Sequence, residues 1–291
     1  MQLLPSYSQL YALIRLLDDP DAEVYENVHE KLVSMGKPVI PVLENEWESA
    51  GQLAIQERII HVIEEIEFEC AITALNNWKV DNTDDLIHGA LVAATFQYPS
   101  IDSDSVQRTM EKLHRDVWLE LNDNLTSLEK VRVINHILYD VHLFRPYTTY
   151  HTSEQSFFLN NLIDNRTGSP MTLGILYKAL ADMLGLPIVG IDLPFHFILG
   201  YRDVHNDTEN DFLFYINPFS KGAVFGKGEL ERYIERLQAN PADLDLKPMN
   251  NVSIIKRLLS ELKICYQRSG KYQKLDKVSK LISVLGTDNK L

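Results

Sequence analysis

Cysteine is scarce in this chain. Only Cys70 and Cys265 occur in 291 residues, in two separate segments patterned as helices. Two such thiols make neither a zinc spacing nor the dense pairing of a small secreted scaffold. Each reads as a small buried side chain rather than a reactive thiol. Long apolar runs are missing too. None approaches the ~20 residues that span a bilayer, and the first residues show no basic segment leading into an apolar core. The expectation is a soluble, cytoplasmic protein without membrane association. Basic charge is also in deficit, with 28 Lys+Arg against 41 Asp+Glu and a net charge of −13. The imbalance is uneven: residues 1–70 hold 14 acidic and 4 basic side chains, a net of −10, whereas residues 251–291 hold 3 and 9, a net of +6. An acidic front repels phosphate, which argues against a nucleic-acid partner. The lysines of the tail are spread along helical patterns and read as a solvated face.

Helical periodicity fills the first half. Tyr11, Ile14 and Leu17 form one stripe, and the break Asp18-Asp19-Pro20-Asp21 supplies a cap for the next helix. Val24, Val28 and Leu32 continue at helical spacing, and Gly36-Lys37-Pro38 stops them. Val39, Leu43 and Trp47 mark a third helix, and Ile59, Ile63 and Ile66 a fourth. Three further helices are expected over 84–96, 104–121 and 128–143, and a short one over 156–163.

The pattern changes after Gly168. Pro170 suits a helix start. Leu173, Leu176, Tyr177, Leu180 and Leu184 make an apolar face that Gly185 and Pro187 end. Runs rich in Ile, Val and Phe at 188–191, 195–201 and 212–216, separated by polar turns, predict a small antiparallel sheet with 223–225 as a further edge strand. A helix over 229–237, a linker over 240–248 and a helical hairpin turning at Gly270 complete the chain.

One constellation carries chemistry. Cysteine hydrolases need a thiolate at a helix N-terminus, where the dipole lowers its pKa. A histidine on a facing strand moves the proton, and an Asp or Asn on the next strand orients the ring. Ser169-Pro170-Met171-Thr172, then His196, then Asn217 follow that order, but no cysteine stands at the helix start. The remaining hydroxyls, Ser169 and Thr172, are weak nucleophiles unless a strong base serves them. Ser169 reads first as the helix N-cap and Asn217, before Pro218, as a turn former. His196 alternates with Phe195 and Phe197 and so points to the other face of its strand. His136, His142 and His151 give no metal set, and neither a metal nor a cofactor is expected.

The runs Asn165-Arg166-Thr167-Gly168-Ser169-Pro170-Met171-Thr172-Leu173, Leu184-Gly185-Leu186-Pro187, Pro194-Phe195-His196-Phe197 and Asn217-Pro218-Phe219 resemble the bacterial transglutaminase-like family called SirB-type. The resemblance covers roughly 70–285. It implies a fold: a helical segment, a transglutaminase-like core and a C-terminal tetratricopeptide-like hairpin. It places His196 at the family's histidine and Asn217 where an Asp is usual, with the nucleophile position near Pro170. Residues 1–69 resemble HEAT-like hairpins. The expected class is therefore α+β, mainly α, with helical repeats flanking a small antiparallel sheet and a transglutaminase- or papain-like core helix. Its units are 1–69, 70–240 (helical to 165, core helix and sheet from 166) and 241–291. The function expected is a non-catalytic scaffold whose flanking helical repeats bind a protein or peptide, with Arg166, Phe195, His196 and Tyr201 as candidate binding residues. The alternatives are an amide-bond hydrolase or acyltransferase using Ser169 or Thr172 with His196 and Asn217, and a small-molecule binder in the remnant cleft.

Overall fold

The computed structural model describes residues 7–147, 153–193, 196–204, 211–236 and 247–286. Among them are twelve α-helices and a four-stranded sheet, a mainly α arrangement within the α+β class.

The first helices are α1 (Tyr7–Leu16), α2 (Ala22–Met35), α3 (Ile40–Ser49) and α4 (Leu53–Asp81). Asp21 caps α2 by accepting the Glu23 N–H at 2.9 Å. Leu10, Ile14, Leu17, Val28, Leu32, Leu43, Ile59 and Ile66 close a separate small core. The same helix α4 then enters a second, larger core through Phe68, Ala71, Leu75 and Trp78. Position 69/70, expected as the end of a unit, thus falls inside a continuous helix. Along it, Ile66 belongs to the small core and Phe68 to the larger one, while Cys70 packs against the small core.

The larger core gathers α5 (Leu86–Ala94), α6 (Ser103–Glu120), α7 (Ser127–Asn135) and α8 (Leu159–Asn165) around α9 (Pro170–Met183). A π-helical turn, His136–Val141, extends α7. The short helix expected over 156–163 is two pieces, a 3-10 turn at Glu154–Phe157 and then α8. A two-residue parallel pair, β1 (Arg145–Pro146) with β2 (Thr167–Gly168), was not foreseen. Every residue of α9 from Met171 to Ala181 is buried, including Lys178, whose ammonium donates to Asp182 at 2.7 Å.

The sheet is an antiparallel meander in the order β3 (Ile188–Leu193), β4 (His196–Arg202), β5 (Phe212–Asn217), β6 (Ala223–Phe225). These are the four strands expected from the apolar runs. Side chains alternate between its faces. Ile188, Phe197, Leu199, Tyr201 and Ile216 join the large core beneath α9. Ile191, Leu193, Ile198 and Tyr215 pack on the other face against Leu230 and Ile234 of α10 (Lys227–Arg236). Gly174 of α9 lets the Phe197 ring approach: a Cβ there would lie 2.4 Å from the ring.

The last hairpin, α11 (Asn251–Arg268) and α12 (Tyr272–Leu285), contributes Ile254, Leu258, Leu262, Tyr266, Val278 and Leu281 to the same core as α9. Its basic face lies along acidic α4. Lys277 Nζ is 3.6 Å from a Glu64 carboxylate oxygen, and Lys79 donates to the Val284 carbonyl at 3.0 Å. No helix among the described residues is long and apolar enough to cross a membrane.

Candidate functional site

Ser169 caps α9. Its backbone is extended (φ −74°, ψ 168°), and its Oγ accepts the Thr172 N–H at 3.2 Å. The Thr172 hydroxyl donates to the Ser156 carbonyl at 2.9 Å and lies 3.2 Å from Ser169 Oγ. Both side chains are enclosed, at 1% and 0% exposure. The hydroxyls are thus committed to the cap and to the preceding 3-10 turn. A nucleophile needs one free lone pair aimed at substrate and a base on its proton, and among the described residues the groups around this pair offer neither.

His196 opens β4 on the opposite face of the sheet from α9, because the next residue, Phe197, faces Gly174. The imidazole stands edge-on to the Tyr233 ring of α10, with ring centres 5.3 Å apart at 80°. The two rings border a cleft of about 220 Å3 lined also by Leu193, Ile198, Asn217, Phe225, Glu229 and Leu230. His196 is solvent-exposed at the cleft mouth, yet the apolar walls desolvate it and hold its pKa below the usual histidine value. The ring is therefore neutral at neutral pH. Tyr233 Oη is enclosed and has no hydrogen-bond partner among the described residues, and burial raises its pKa.

Asn217 reaches the same cleft, but its Oδ1 accepts the Phe219 N–H at 3.1 Å and so forms the turn at Pro218–Ser220. The structure brings His196 and Asn217 together and keeps Ser169 and Thr172 apart from them. Neither hydroxyl residue lines the cleft.

The remaining binding candidates do not share this place. Tyr201 is five residues from His196, an odd number, so it falls on the α9 face of the sheet, where it packs on Phe214 with ring centres 5.1 Å apart. Arg166 ends α8 in the left-handed region (φ 56°) and lays its guanidinium over the Phe144 ring at 4.7 Å. Burial lowers its pKa, against the pull of Asp164. Phe195 lies outside the described residues. Sequence reasoning missed Tyr233, Phe225 and Leu230. The spacing of Leu230, Tyr233 and Ile234 was the available signal, since it makes one face of a helix that has to cover something.

A helix N-terminus packed against an antiparallel sheet, with a histidine opening the second strand and an amide ending the third, is the layout of a transglutaminase-like core. The family model described as the transglutaminase-like superfamily matches residues 104–260, and the chain belongs to that family. Its relatives point to the SirB-type branch. The chain is similar to a UPF0162 protein of Xylella fastidiosa (strain 9a5c), 21% identical over 69% of this chain and 73% of that protein. It is likewise similar to Protein SirB1 of Salmonella typhimurium, 23% identical over 62% and 66%. A shorter similarity, 28% identical over 35% of this chain, relates it to 16% of F-box only protein 21 of Mus musculus. No solved structure matches the chain.

Proposed function

We propose that this is a non-catalytic transglutaminase-like protein that binds a protein or peptide, with the cleft between the sheet and α10 as its contact site. The observation that carries the reading is the enclosure of Ser169 and Thr172 in the α9 cap, on the far side of the sheet from His196. Without a nucleophile in reach, the neutral imidazole of His196 serves as a hydrogen-bonding group. The cleft has apolar walls and a few converging polar groups, the usual make-up of a recognition site. Its unpaired Tyr233 hydroxyl is a donor that a bound backbone carbonyl would satisfy. The net charge of −13 favours a protein partner over nucleic acid.

The full chain, immobilised and panned against a random peptide library, is expected to enrich peptides that His196→Ala and Tyr233→Ala release and Ser169→Ala retains. Fluorogenic amide and ester substrates are expected to turn over no faster than in buffer. Turnover that Ser169→Ala and His196→Ala both abolish would overturn the proposal and restore the hydrolase reading.

A further inference from the structure

A cluster in the acidic N-terminal unit, remote from the cleft, is built like a metal site. His29 of α2 is buried, at 6% exposure, and its Nε2 lies 3.0 Å from His61 Nδ1 and 3.4 Å from Glu65 Oε2 of α4. His61 and Glu65 are four residues apart and therefore share one face of α4. The three donor atoms all lie within 4.8 Å of one another. A tetrahedral ion with bonds of ~2.0–2.1 Å holds its ligand atoms about 3.3 Å apart, and the two sides that meet at His29, 3.0 and 3.4 Å, are close to that.

A purely hydrogen-bonded arrangement accounts for the triangle less well. One N–H on His29 Nε2 can point at His61 or at Glu65, but not fully at both. An ion between the three takes one lone pair from each of the three donor atoms at once. Two neutral imidazoles and one carboxylate suit a borderline divalent ion such as zinc. The surroundings favour a cation, since residues 1–70 carry a net of −10. Arg58, the nearby positive side chain, is drawn aside: it donates to the Leu17 and Asp19 carbonyls and lies over the Tyr25 ring. His61 is exposed and the Glu65 side chain is 44% exposed, which leaves a fourth position open to water.

We infer that His29, His61 and Glu65 bind one zinc-like divalent transition-metal ion. The ion would clamp α2 to α4, the helix that runs on into the larger core.

The test is a calorimetric titration of the chelator-treated full chain with Zn2+. One ion per chain is expected, with a rise in melting temperature. Cobalt(II) in its place is expected to show the intense visible bands of tetrahedral coordination. His61→Ala and Glu65→Gln alter solvent-reachable side chains and should leave the fold intact. Each is expected to weaken zinc at least about 100-fold, because even outer-sphere partners of a ligand cost up to that much. His88→Ala, exposed on α5, should change nothing. Equal zinc affinity in wild type, His61→Ala and Glu65→Gln would overturn the assignment, as would the absence of stoichiometric binding to the wild type.

Discussion

On one face of the four-stranded sheet lies α9, buried on every side from Met171 to Ala181. On the other lies α10, which buries Leu230 and Ile234 and leaves a cleft beside them. The first face is a close-packed interior: Phe197 fills the space left by Gly174 and Gly190, and the hydroxyls at the helix start are absorbed by the cap. The second face is thinly covered and holds the exposed histidine, apolar walls and a phenol with no hydrogen-bond partner among the described residues. A hydrolase needs its nucleophile and base on the same side of the strand that carries the base. Here the alternation of β4 puts His196 on one side of the sheet and Ser169 and Thr172 on the other.

Substitutions on the two faces should differ in kind. Phe197→Ala removes the ring that joins α9 to the sheet and is expected to cost about 3–5 kcal/mol, read from the urea midpoint. A cost near that of a surface change would mean the face is not packed as described. Gly222→Ala comes next. Gly222 sits at φ +69°, and a Cβ there would stand 1.9 Å from the Asn135 side-chain oxygen. Asn135 also donates to the Gly222 carbonyl at 2.8 Å and accepts from Tyr177 at 3.0 Å, so it ties the β5–β6 turn to α9. Left-handed strain plus a disturbed buried hydrogen bond gives about 2–3 kcal/mol.

Ser169→Ala should cost about 1–2 kcal/mol through the lost cap and leave peptide binding in the cleft unchanged. Loss of binding at unchanged stability would place Ser169 in the site after all.

His196→Gln should be the mildest for stability at neutral pH and the most telling for pH. The folded pKa of His196 lies below its unfolded value of about 6.5, so the unfolded chain takes up the proton first. Its contribution is therefore complete above about pH 6.5 and declines as pH falls through the folded value. The glutamine variant should flatten that part of the pH–stability curve. A curve that keeps its slope would assign the titration to another group.

Much of this was legible in the sequence. The helix and strand positions followed from Pro170, Gly185 and the alternating apolar runs, because turn chemistry and period are local properties. The Ser169 cap and the Asn217 turn were legible for the same reason. Of the binding candidates Arg166, Phe195, His196 and Tyr201, the separation of Arg166 and Tyr201 from His196 was not legible. Arg166 belongs to Phe144, and Tyr201 is an odd number of residues from His196. Tyr233 escaped notice because its meeting with His196 depends on α10 crossing the sheet, a long-range packing event that no local pattern encodes. The triangle of His29, His61 and Glu65 escaped for the same reason, since its members come from two helices and His61 is 32 residues from His29.

The most direct test of the division between the faces is the reactivity of a thiol placed at the helix start. Ser169→Cys, made with Cys70→Ala and Cys265→Ala, would be alkylated over a range of pH with and without His196→Ala. The structure predicts slow alkylation that His196→Ala leaves unchanged, because the thiol is enclosed in the cap and the imidazole faces the other way. Rapid alkylation below the usual thiol pKa, abolished by His196→Ala, would show a thiolate–imidazole pair and contradict the account.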